Sequence, residues 1–175
     1  MVSISSILSH TPVWVWALFA FLVLSGLSAL RPRKSRPVTM LLLPVFFFVW
    51  GLYSVFMELP RWTIALGVFA VMIAIGFGIG WLLASRYPAS TYDRKAKRVM
   101  RPGTPLTLIF IMIGFVAKYV LSVVMAINPD LSGTIGFSLV YGTTSGLISG
   151  AFWGIMGLQL LQAFNYIGQG NRLTG

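Results

Sequence analysis

Five long apolar segments, separated by short links and by two basic loops, constrain this chain more than any other feature of its sequence. An α-helix needs roughly 20 apolar residues to cross a bilayer, and it satisfies its backbone hydrogen bonds internally. The pattern therefore predicts an all-α integral membrane protein whose residues 1–175 form a single transmembrane domain. The domain is expected to be a five-helix bundle with helices at about 12–30, 38–57, 62–84, 105–127 and 135–165.

The composition excludes a water-soluble globule, because only 9% of the residues are charged and 57% are hydrophobic. Soluble domains usually carry about a quarter of charged residues. The net charge of +10 is concentrated in the two basic loops, which lie beside apolar segments. Anionic lipid headgroups are therefore the expected partners of this charge, and nucleic acid is not.

The basic loops also predict the orientation of the chain, since positively charged loops stay in the cytoplasm. Among the Lys and Arg residues, only Arg61 lies in the links predicted to be outside. We therefore expect a multi-pass protein of the cell inner membrane with its N-terminus outside and its C-terminus in the cytoplasm. The residues expected to set this topology and to contact headgroups are Arg31, Arg33, Lys34, Arg36, Arg94, Lys95, Lys97 and Arg98, with Arg86 and Arg101 in the same loops.

The chain offers few residues for catalysis or metal binding. It has no cysteine, one histidine (His10) and three acidic residues, all of them near interfaces or in loops. Catalysis usually needs a positioned base and a partner for it. We therefore expect no enzymatic activity, no cofactor and no metal site.

A ladder of small residues marks the last apolar segment, with a glycine at every fourth position: Gly142, Gly146, Gly150 and Gly154. In lipid, helices associate through close packing, and such a stripe lets two backbones approach. The ladder predicts packing against helix one, two or four of the same chain. A homodimer face and a glycine-lined conduit are the alternatives.

Lys118 is the one ionisable residue deep inside a predicted helix. An isolated charge at that depth costs about 2.5–3.5 kcal/mol, so Lys118 needs a partner. An ion pair with Glu58 is expected, and snorkelling or a hydrogen bond to Tyr53, Tyr141 or a backbone carbonyl are the alternatives. Intramembrane charge is also a hypothesis for a functional site, here made of Lys118, Tyr119, Glu58 and Tyr53.

Several motifs resemble those of an uncharacterised family of small bacterial inner-membrane proteins. They are the run from His10 to Trp16, the segment Arg101 to Leu106, the pair Lys118 and Tyr119, the turn from Asn128 to Leu131, and the glycine-rich last helix. The resemblance implies a bacterial multi-helix membrane protein and carries no activity. Ile155 and Met156 depart from the family pattern, which has a basic residue soon after the glycine ladder.

Two functions are therefore expected from the sequence. The first is a packing or assembly component that associates with a second copy or with another membrane protein through the glycine face of helix five. The second is a small transporter or permease component with a site around Lys118.

Overall fold

The computed structural model describes residues 11–93 and 98–172, and five α-helices account for most of them. We number these helices α1 to α5 in chain order. Their bounds are α1 Val13–Ser28, α2 Pro37–Glu58, α3 Trp62–Ala84, α4 Leu106–Ile127 and α5 Ile135–Arg172. The helical pattern predicted from hydropathy is therefore present, and the last helix is longer than expected.

Four of the helices, α2 to α5, are long and apolar enough to cross a membrane. Within the described residues the first is shorter, so four of the five expected spans reach that length. Helix α1 has 16 residues and a length of about 24 Å at 1.5 Å per residue, whereas a hydrocarbon core is about 30 Å thick. It ends early because the N–H of Ala29 bonds back to Gly26 O and the chain then turns away.

The two basic loops contain a small antiparallel sheet that hydropathy did not predict. Its strands are β1 Arg33–Ser35, β2 Thr91–Asp93 and β3 Arg98–Arg101, arranged in the order β1-β3-β2. Backbone groups outside the helices also need hydrogen-bond partners, and two loops at the same end of a bundle can supply each other. The pairing of β1 with β3 shows that both basic loops lie at one end, which we call the sheet end.

The sheet and the segment before it contact the helices through an apolar cluster and a hydrogen bond. Val99 is 1% exposed and packs with Met40 and Met156 from α2 and α5. The backbone N–H of Ser90 donates to Gln162 Oε1 at 3.0 Å. Helix α5 has 38 residues and spans about 57 Å, which is longer than a hydrocarbon core of about 30 Å, and its C-terminal part meets this sheet.

At the opposite end, which we call the link end, short connections join α2 to α3 and α4 to α5. A 3-10 helix at Pro129–Gly133 precedes α5, and Thr134 Oγ1 accepts a hydrogen bond from the N–H of Phe137. Arg61 Nε donates to Gly133 O at 2.8 Å and so joins the two connections. Thr134 thus caps α5.

Candidate functional site

Three helices bring Lys118, Tyr141 and Glu58 together in the half of the bundle nearer the link end. Glu58 is the last residue of α2, Tyr141 lies in the second turn of α5, and Lys118 lies nine residues before the end of α4. Lys118 is 4% exposed and Tyr141 is fully buried. We call these three residues the polar triad.

Tyr141 connects the two charged members of the polar triad. Its hydroxyl donates a hydrogen bond to Glu58 Oε2 at 2.6 Å. The Lys118 ammonium lies over the face of the same ring, with Nζ 4.2 Å from the ring centroid. Among the described residues Lys118 Nζ has no hydrogen-bond acceptor. The expected link between Lys118 and Glu58 therefore passes through a tyrosine ring and hydroxyl.

The other two residues expected at this site lie elsewhere. Tyr53 is 60% exposed on the outside of α2. The Tyr119 hydroxyl lies 2.8 Å from Thr11 Oγ1, and its ring stacks on Phe115 at a centroid distance of 6.2 Å. Tyr119 therefore joins α4 to the start of α1 and takes no part in the polar triad.

Tyr141 was the residue that sequence reasoning placed only among the alternatives. Counting residues from the link end would have made Tyr141 a candidate, because it is six residues from that end of α5 and Lys118 is nine from that end of α4. Tyr53, at five residues from the end of α2, satisfies the same count. Depth alone cannot separate these two tyrosines, because it does not say which face of a helix is turned inward.

The free-energy cost of burying Lys118 is only partly offset by its contact with the Tyr141 ring. A cation over an aromatic face gains up to about 2 kcal/mol when desolvated, and placing a lysine at mid-membrane costs about 2.5–3.5 kcal/mol. The ammonium carries three donors, and the ring face does not supply an oxygen or nitrogen acceptor. The ammonium of Lys118 therefore keeps hydrogen-bond donors that no described acceptor satisfies.

The glycine ladder of α5 lies against α3. A Cβ on Gly142, Gly146, Gly150 or Gly154 would come less than 3.0 Å from a carbonyl oxygen of α3, those of Ala65, Phe69, Ile73 and Phe77 in turn. Gly76 and Gly80 of α3 stand equally close to the carbonyls of Leu147 and Ala151. The expectation of helix one, two or four as the partner is therefore wrong. Both faces carry glycine, and this reciprocity allows the backbones to touch.

The basic residues that the structure describes gather at the sheet end. Arg33, Lys34 and Arg98 lie in its strands, and Arg31 and Arg36 lie beside β1 and are exposed. His10, Arg94, Lys95 and Lys97 fall outside the described residues.

Two of the strand cations face each other. Arg33 is the cross-strand partner of Arg101, and no carboxylate separates the two in the register. Burial and the charge of Arg33 lower the pKa of Arg101 to about 10, and burial lowers the pKa of Arg33. Both guanidiniums are still charged at neutral pH, so the two side chains repel each other.

The described residues contain no cluster of three or more histidine, cysteine, aspartate or glutamate side chains that could hold a metal ion. No curated protein and no solved structure matches the chain with significant similarity. A family model, described as a family of unknown function (DUF6622), matches residues 2–165. The chain therefore belongs to this family of unknown function, whose model covers nearly its whole length.

Proposed function

We propose that this protein is a small transporter or permease component whose functional site is the polar triad. The observation that supports the proposal is the buried ammonium of Lys118, which has no hydrogen-bond acceptor among the described residues. A solute with an anionic or carbonyl oxygen would supply that acceptor. An intramembrane charge that its own protein leaves incompletely solvated is typical of a substrate or proton site.

The position of Glu58 gives the triad a connection toward the aqueous phase. Glu58 ends α2 and is partly exposed, whereas Lys118 lies deeper in the bundle. Tyr141 contacts both, so a rotation of one ring would change the surroundings of both charges. A solute that binds Lys118 would thereby alter the contact that holds α2 to α5.

Assembly through the glycine face is the other function expected from the sequence, and the packing of α3 on α5 weighs against it. The four glycines of the ladder are buried against α3 within one chain. A second protein could reach them only after α3 moved away. The proposal therefore rests on Lys118 and not on the ladder.

Orientation in the bacterial inner membrane, with the sheet end in the cytoplasm, is part of the same proposal. It is supported by the charge of the sheet end, where β1 and β3 bring both basic loops together. Among the described residues, the link end carries Glu58, Asp130 and one cation, Arg61. This asymmetry is what the positive-inside rule requires of a cytoplasmic side.

Flux through proteoliposomes tests the proposed transport. Vesicles with an internal pH dye and a membrane potential would be offered chloride, acetate, phosphate and a proton gradient in turn. We expect wild type to carry a proton or one of the anions, and Lys118→Met to lose that flux at least tenfold while it stays folded.

Tyr119→Phe is the matched control for this experiment, since Tyr119 is adjacent in sequence but lies outside the polar triad. It should keep the wild-type flux. A Lys118→Met protein that carries as much as wild type would refute the proposed role of Lys118.

A further inference from the structure

A strongly basic pocket opens at the sheet end, between α1, the sheet and the start of α2. Its volume is about 440 Å³, within the range of small-molecule sites. Five cations line it: Arg33, Lys34, Arg36, Arg98 and Arg101. No acidic side chain is among the described residues that line it. We call it the basic pocket.

One described acid, Asp93, lies beside these cations. Its Oδ2 is 3.0 Å from Lys34 Nζ, and Asp93 is also the cross-strand partner of Arg98. One guanidinium nitrogen of Arg33 donates to Ser28 Oγ, a neutral acceptor. Most of the positive charge at the pocket is thus not balanced by these contacts, and a guanidinium with five donors suits the oxygens of a phosphate group.

The sheet register directs the two central arginines inward. Alternate residues of a strand share a face, so Arg101 lies on the same face of β3 as Val99, which is buried against the helices. Its partner Arg33 lies on the same face of β1. Like charges directly opposite on two strands destabilise a sheet. An anion bound between them would remove that repulsion.

The floor of the basic pocket is apolar, because Phe21 of α1 and Leu42 and Leu43 of α2 line it below the arginines. Ser25 and Thr39 lie between the apolar floor and the cations and add hydroxyl groups. The pocket therefore changes from cationic to apolar over a short distance, as the boundary between headgroup and acyl chain does in a lipid.

The geometry points to a phosphate-binding site in the basic pocket, with Arg33 and Arg101 as the two central ligands of the phosphate group. The apolar floor favours the phosphate of an anionic phospholipid, whose acyl chain would lie on Phe21 and Leu42. A soluble phosphate ester presents the same kind of phosphate oxygens and is the other source of the ligand.

Native mass spectrometry of the delipidated full chain in a neutral detergent tests this site. The probes are phosphatidylglycerol, zwitterionic phosphatidylcholine and glycerol 3-phosphate, each titrated separately. We expect wild type to hold one phosphatidylglycerol. In Arg33→Gln with Arg101→Gln the affinity should fall roughly tenfold to thirtyfold, since each basic residue near a lipid surface contributes measurably to binding.

A matched double variant controls for net charge. Arg31→Gln with Arg86→Gln removes two exposed cations near the sheet end that do not line the basic pocket. It should bind phosphatidylglycerol like wild type. An equal loss of affinity in both double variants would mean that net positive charge alone attracts the anionic lipid, and it would overturn the proposal.

The remaining outcomes are equally decisive. Binding of glycerol 3-phosphate, with the same dependence on Arg33 and Arg101 and without lipid binding, would identify a soluble ligand. Binding of neither anion, or equal binding of phosphatidylcholine and phosphatidylglycerol, would overturn the site. Should the arginine variant fail to fold, Ser25→Phe fills the pocket with all charges intact, and wild-type binding by that variant would also overturn it.

Discussion

The hydroxyl of Tyr141 donates a hydrogen bond to Glu58 Oε2 at 2.6 Å, and the Lys118 ammonium lies over the face of the same ring. One tyrosine thus holds an acid at the end of α2 and a lysine in α4. The two charges belong to helices that are not consecutive in the chain, so their meeting depends on the packing of α5 between them.

Tyr141→Phe should separate the two contacts of this ring. Phenylalanine keeps the ring beneath Lys118 and removes the hydrogen bond to Glu58. The free energy of unfolding should therefore fall by about 1.5–3 kcal/mol, as for hydrogen bonds to charged groups. Thermal unfolding in detergent measures it. Tyr119→Phe, which loses a hydrogen bond between two neutral hydroxyls, should lose only about 1 kcal/mol. Equal losses would contradict a charged acceptor at Tyr141.

Lys118→Met should leave the stability unchanged or raise it by about 1 kcal/mol. The change removes a buried ammonium that costs about 2.5–3.5 kcal/mol and loses a cation–π contact of up to about 2 kcal/mol. Unfolding of the purified variant in the same detergent gives the difference. A loss of more than about 3 kcal/mol, as for a broken buried pair, would make Lys118 a structural residue.

Gly80→Ala should destabilise the fold by about 1–3 kcal/mol, because its Cβ would press on the carbonyl of Ala151 and force the helices apart. Gly78→Ala is the matched control in the same helix. A Cβ there meets nothing within 4 Å, so the variant should be neutral or gain up to about 1 kcal/mol of helix propensity. Thermal unfolding of both variants checks this, and similar effects would refute the close contact of α3 with α5.

Light scattering of Gly146→Leu with Gly150→Leu tests where the glycine ladder is used. Both positions contact the backbone of α3, so the variant should fail to fold as a bundle. A folded monomer obtained from a dimeric wild type would instead place the ladder at an interface between subunits.

Arg101→Gln should stabilise the delipidated protein by about 1 kcal/mol, since it removes one of two like charges that face each other across β1 and β3. The difference from wild type should shrink in concentrated salt, which screens the repulsion. Unfolding at low and high ionic strength measures both effects. A destabilised variant with no dependence on salt would show that Arg101 is held by other contacts.

Labelling of single cysteines tests the orientation, because the natural chain has none. Asn128→Cys lies at the link end and Ala89→Cys near the sheet, and both positions are exposed. A maleimide that cannot cross membranes should label only the first in intact cells and both after lysis. The reverse pattern would invert the proposed topology.

The sequence predicted the helices of α2 to α5 well, because hydropathy is a local property that the solvent imposes on each segment. It placed the end of α1 at about residue 30, whereas the helix ends at Ser28 and the chain then turns toward β1. It also missed the sheet, since strands of three and four residues between arginines carry no apolar alternation.

By itself, then, the sequence determined the class of protein, the position of its helices and the separation of basic loops from the remaining links. Only the tertiary structure decided that the glycine ladder meets α3, that Tyr141 and not Tyr53 joins Lys118 to Glu58, and that Arg33 faces Arg101. The physical reason is that lipid-facing and helix-facing surfaces are equally apolar in a membrane protein. Hydropathy therefore places a residue at a depth, while its neighbours at that depth depend on how the helices pack side by side.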